Sequence, residues 1–134
     1  MTEPFVLVGI AVIVFASAAI QHAGTVLSRG VGFAMTDRSE ALPETGFSGR
    51  SRRTLQNNLE SATMAVPILT VLVSLNLASG LTGIFSLIYL AARVSFTINY
   101  WIGFSRLRSF SWGIGMACLV ALAVLTLQGL ASLA

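Results

Sequence analysis

The sequence predicts an all-α integral membrane protein built as a bundle of four transmembrane helices, and two observations carry that prediction. The 134 residues are 55% hydrophobic and only 10% charged, against roughly 25% charged residues in a soluble domain. Four apolar stretches, at about residues 5–28, 55–79, 82–104 and 110–133, each reach the ~20 helical residues needed to cross a bilayer core. The length suits one domain, residues 1–134, with no internal repeat and no low-complexity tract.

Taken in order, the first stretch follows Thr2-Glu3-Pro4, where Thr can cap and Pro suits the first turn of a helix. It lacks the basic n-region of a signal peptide and opens on Glu3, so it is expected to remain in the mature chain. The segment from Thr36 to Gly46 reads as a turn-rich loop. Arg50-Ser51-Arg52-Arg53 then leads into the second stretch. Only Ser79 to Gly83 joins the second to the third, which makes those two antiparallel neighbours. The fourth follows Arg106 and Arg108 and contains Cys118, the single cysteine. It cannot form an internal disulfide and reads as a small packing residue.

All eight cations are arginine, and they cluster. The first loop holds Arg29, Arg38, Arg50, Arg52 and Arg53 against Asp37, Glu40 and Glu44; the third holds Arg106 and Arg108; the second holds none. By the positive-inside rule, loops one and three face the cytoplasm and both termini face away from it. The basic residues neither cover a face nor interleave with exposed aromatics, so nucleic acid is not an expected partner. His22, beside Gln21, reads as a packed or interfacial residue. No metal-ligand spacing accompanies it and no Ser-His-Asp arrangement is visible, so no metal is expected.

The candidate functional residues lie on two helical faces. On the second helix Arg50, Arg53, Asn57 and Glu60 fall within roughly 80° of one another, because steps of three and four return to one face. On the third, Arg93, Phe96, Asn99 and Tyr100 share a face by the same rule. A charged group at membrane depth costs about 2.5–3.5 kcal/mol on insertion scales, so such groups are kept for a partner or a ligand. Arg93, about 20 Å along a helix from Arg106, needs such a partner, and Glu60 is the expected one. Pairing would offset both desolvation penalties.

Arg50-x-x-Arg53-x-x-x-Asn57-x-x-Glu60, followed by Arg93-x-x-Phe96-x-x-x-Tyr100 and then Leu107-Arg108-Ser109, resembles the MAPEG family, the membrane-associated proteins of eicosanoid and glutathione metabolism. The likeness covers the whole chain in length, helix number and loop charge, and the long Asp37-Arg38 loop is similar to that of bacterial members. The resemblance implies a homotrimer with glutathione as cofactor, bound between subunits near the cytoplasmic face of a bacterial inner membrane. It further implies that Arg50, Arg53, Asn57, Glu60, Arg93 and Tyr100 hold the tripeptide, with Arg29 or Arg38 as a further contact from the first loop. Arg108 matches the position whose guanidinium stabilises the thiolate, with Ser109 as a neighbouring donor. The implied activity is a microsomal-type glutathione transferase or peroxidase acting on lipophilic electrophiles that enter from the membrane lipids. Three positions depart from the family pattern: Phe96 stands where a Tyr is common, Ser61 where an aromatic is, and Leu55 where a Gln or His is. The alternative is a non-enzymatic membrane protein that binds a lipid or another anion in the same pocket, or serves as a structural partner. A small multidrug transporter also has four helices and a membrane Glu, but there the Glu sits in the first helix, without these arginines.

Overall fold

The computed structural model describes residues 2–37 and 45–133. Among them run four helices and no strand: α1 (Glu3–Ala34), α2 (Gly46–Ser74), α3 (Gly80–Ile102) and α4 (Ser105–Ala131). α1 packs chiefly on α2, and α3 chiefly on α4. The core is one cluster of Val6, Ile10, Ala65, Leu69, Leu72, Tyr89, Cys118, Leu119 and Leu122. Large apolar side chains cover the outside as well, among them Phe5, Phe15, Ile102, Val120 and Leu127. An apolar exterior over α1, α3 and α4, each long and apolar enough to span a bilayer, identifies an integral membrane protein.

Every helix departs from the boundaries expected from hydropathy, each for a local reason. α1 runs six residues past Ser28, through a kink at Gly30 (φ 84°, ψ 164°) that a side chain would oppose. α2 starts at Gly46 and not near Leu55, because the polar approach Arg50–Asn58 is itself helical and buries Ser51, Thr54 and Asn58 on one side. It ends at Ser74, five residues short of expectation. Asn76 adopts the left-handed conformation (φ 54°), and the Leu77 N–H donates back to the Leu72 carbonyl at 2.9 Å, closing the helix as a Schellman turn. The apolar part of α2 is therefore only about 14 residues, ~21 Å at 1.5 Å per residue, and α2 is absent from the helices that qualify as spans by composition.

α3 opens on a reciprocal capping box. The Thr82 N–H donates to Ser79 Oγ at 3.2 Å and the Ser79 N–H to Thr82 Oγ1 at 2.8 Å. Thr82 Oγ1 also donates to the buried carboxylate of Glu3 at 2.7 Å, which ties the start of α1 to the start of α3. At the other end Gly103 takes φ 84°. The chain then re-enters a helix at once, so Arg106, Arg108 and Ser109, expected in a loop, lie in the first turns of α4.

Candidate functional site

The arginine-bearing end of the bundle is organised by a pair of aromatic rings on α3. Phe96 and Tyr100, four residues apart, stand edge to face with centroids 5.4 Å apart and planes at 76°, a favoured aromatic geometry. Arg93 lies over the Phe96 ring at 4.3 Å and Arg108 over the Tyr100 ring at 4.8 Å. Arg53 donates from Nε to the Tyr100 hydroxyl at 3.3 Å. Three guanidiniums from three helices thus meet one aromatic pair.

Behind the rings is a closed polar network. Arg93, 2% exposed, donates from Nη2 to Oδ1 of Asn58 and to Oδ1 of Asn57 at 3.2 Å. The Asn58 amide donates to Ser17 Oγ on α1 at 2.8 Å and to Thr97 Oγ1 on α3 at 3.0 Å. α1, α2 and α3 are joined through this single asparagine. The other terminal nitrogen of Arg93, Nη1, is buried without a partner.

Glu60 is not the partner of Arg93, which corrects the expected ion pair. It lies on the outward side of α2, where Oε1 accepts from the Gln56 amide at 2.9 Å. The cause is angular: at about 100° per residue, Glu60 stands some 200° from Asn58, and α3 packs on the side of α2 that carries Asn57, Asn58 and Ser61. The stripe from Arg50 to Glu60 exists, but α3 meets only its inner edge.

In front of the rings, Asn57, Phe96, Tyr100, Arg108, Ser109 and Trp112 line an open cleft of about 270 Å³. Of the residues singled out in the sequence, Asn57, Phe96, Tyr100, Arg108 and Ser109 come together here, with Arg53 alongside through the tyrosine. Arg50 is elsewhere: its Nε donates to the Trp101 carbonyl at 3.1 Å, at the end of α3, where a cation is favoured. Glu60 does not line the cleft. Arg106 is exposed, Arg29 stacks on Phe33 at 5.2 Å, and Arg38 lies outside the described residues. Among the described residues no group of His, Cys, Asp and Glu could hold a metal.

Sequence reasoning missed Asn58, Ser17, Thr97 and Trp112. The signal for Asn58 was present: Ser51, Thr54, Asn58, Ser61, Ala65, Leu69 and Leu72 recur at three and four, and all are buried. The departures at Phe96 and Ser61 acquire a structural meaning. Phe96 is the platform for Arg93, and Ser61 turns inward to share a 2.7 Å hydrogen bond with the Tyr89 hydroxyl.

This arrangement suits an anion with several oxygen or sulfur acceptors. Arg108 and Ser109 sit in the opening turns of α4, where the helix dipole adds to the guanidinium. Among the described residues neither Arg93 nor Arg108 is opposed by a carboxylate. A family model described as MAPEG matches residues 4–128. The chain belongs to the MAPEG family. No curated protein and no solved structure matches it at a significant level. Membership accords with a membrane protein of the glutathione-related transferase and peroxidase class.

Proposed function

We propose that this MAPEG protein is a glutathione-dependent transferase or peroxidase, acting as a homotrimer on lipophilic electrophiles drawn from the bilayer. The observation that carries the reading is the convergence of Arg108, Ser109, Asn57 and Tyr100 on one cleft, with neither Arg108 nor the Arg93 behind it opposed by a carboxylate among the described residues. Glutathione presents two carboxylates and a thiol, and this donor set fits them: arginine and amide N–H groups for the carboxylates, and Arg108 with Ser109 for the sulfur. Its ammonium requires an acidic acceptor, and Glu60, on the outward side of α2, supplies one at the edge of a neighbouring subunit. When bound, glutathione supplies the sulfur nucleophile for attack on an electrophile. Arg108 holds negative charge on that sulfur, Asn57 and Arg53 orient the peptide, and Trp112 and Phe96 give the electrophile an apolar wall.

The outward face of α2 supports the trimer. Arg53, Gln56, Glu60, Thr63, Pro67, Thr70 and Ser74 follow one another at spacings of three and four, and every one is exposed in the single chain. That is an a/d seam in which Pro67 is the one apolar side chain, on a helix within a membrane protein, where lipid would leave polar groups unsatisfied. Copies of the same seam satisfy it, and closed rings are the usual solution. The arginine-bearing end then faces the cytoplasm and both termini face away, as loop charge requires, in a bacterial inner membrane.

Calorimetry with glutathione in mild detergent, together with the ultraviolet absorbance of the thiolate, tests the reading. Saturable binding with thiolate formed at neutral pH is the expected result. Binding of lipid or simple anions in its place, with no thiolate, would transfer the cleft to the non-enzymatic alternative.

A further inference from the structure

The amide of Asn57 has an oxygen end and a nitrogen end, and its surroundings decide which way round it sits. The end toward α3 meets Arg93 Nη2 at 3.2 Å. A guanidinium carries donors only, so that end is the oxygen; reversed, the amide would set N–H against the N–H of an arginine that is 2% exposed. Arg93 cannot step aside, because it is buried, lies on the Phe96 ring and holds the Asn58 oxygen as well. The amide nitrogen of Asn57 makes no hydrogen bond among the described residues, and Asn57 lines the cleft beside Tyr100, Arg108 and Ser109.

We propose that Arg93 is a positioning residue: it locks Asn57 with its two N–H donors toward the cleft and so builds a donor-only subsite for a carboxylate of the bound ligand. The guanidinium charge behind the amide oxygen polarises the group and strengthens its N–H donors. Arg93 reaches the ligand only through Asn57, in contrast to the direct contact that the family resemblance implied. The lock depends on the chain alone, whereas assigning the carboxylate to glutathione rests on the function proposed above.

Asparagine-selective ¹⁵N labelling of the full chain in micelles separates the two, with the Asn57 side-chain signal assigned through Asn57→Ala. In the wild type the Asn57 NH₂ protons should exchange readily with water, while those of Asn58, bonded to Ser17 and Thr97, stay protected. Arg93→Gln offers either an oxygen or an NH₂, so it should free the amide to flip and move the Asn57 signal; Arg93→Lys, again donor-only, should restore it. A protected Asn57 NH₂ in the wild type, or an unchanged signal in Arg93→Gln, overturns the lock. S-methylglutathione, which keeps both carboxylates and forms no thiolate, should shift the Asn57 signal. It should bind about tenfold or more weakly to Asn57→Asp, which turns an oxygen into the cleft, as expected for losing a hydrogen bond to a charged group. Saturable binding that leaves the Asn57 signal and affinity untouched overturns the carboxylate subsite. An absence of binding with the exchange pattern intact upholds the lock and overturns the glutathione reading instead.

Discussion

Arg93 and Arg108 are the same side chain on two sides of one aromatic wall. Behind Phe96, Arg93 is buried among Asn57, Asn58 and, one bond further, Ser17 and Thr97. In front of Tyr100, Arg108 borders an open cleft and has a ring as its chain contact. A buried polar network that is nearly satisfied fixes helix positions and penalises any loss, while a cation whose neighbours leave it unopposed retains its field for a ligand. On the proposed reading, the difference between holding helices together and serving a ligand is set by which side of the Phe96–Tyr100 pair each arginine occupies. Asn57 is the residue that belongs to both sides.

The largest effect should come from the closed side. Asn58→Ala removes one of the two acceptors of Arg93 and the donor to two hydroxyls, with Arg93, Ser17 and Thr97 all buried. Hydrogen bonds to charged groups contribute about 1.5–3 kcal/mol and a stranded group adds its desolvation cost, so a loss of ~3 kcal/mol or more is expected, read from thermal unfolding by circular dichroism in micelles. Asn58→Asp sharpens the point: a carboxylate would neutralise Arg93, so it should be far milder than the alanine change. Equal damage from both would show that the amide donors to Ser17 and Thr97, and not the arginine, dominate the network.

On the open side, Arg108→Ala should leave unfolding almost unchanged and abolish thiolate absorbance. A free thiol titrates near pH 8.5, and a neighbouring guanidinium can lower that by one to two units, or about 1.4–2.7 kcal/mol. Turnover with a generic electrophile should fall about 10- to 100-fold, with glutathione binding largely kept. Arg53→Ala should instead weaken binding first, by loosening Tyr100. Arg106→Ala is the control: exposed in the first turn of α4, it should do little. If Arg108→Ala melts the bundle as Asn58→Ala does, the wall does not separate two roles.

The comparison also shows where sequence reading reaches its limit. Helix number, membrane character and the faces that carry Asn57 and Tyr100 were legible, because hydropathy reports length and fixed spacings report faces. The faces alone did not reveal which edge of a polar stripe a neighbouring helix would take. Glu60 was the obvious counter-charge for Arg93 by residue type, yet the fold chose the amides of Asn57 and Asn58, which lie at the edge where Ser61 and Ala65 are small enough to admit α3. Helix ends were missed for a related reason. Backbone capping at Asn76 and Gly103 set them, and hydropathy, which continues past both, carries no information about caps.

The smallest expected effect tests that corrected assignment. Had Glu60 been paired with Arg93, removing its charge would cost several kcal/mol, since a lone buried arginine would remain. With Glu60 facing outward and bonded to Gln56, Glu60→Gln keeps a hydrogen-bonding partner and should change the unfolding free energy by less than ~1 kcal/mol. Native mass spectrometry of Glu60→Gln should still show three chains. In the proposed trimer, Glu60→Arg would place a cation from every copy in the same polar seam, two turns from Arg53, and like charges around a common axis should drive the assembly toward single chains while each chain keeps its helices. A variant that unfolds as a monomer would return Glu60 to the inside of the bundle, and one that stays trimeric would place the seam away from the subunit contact.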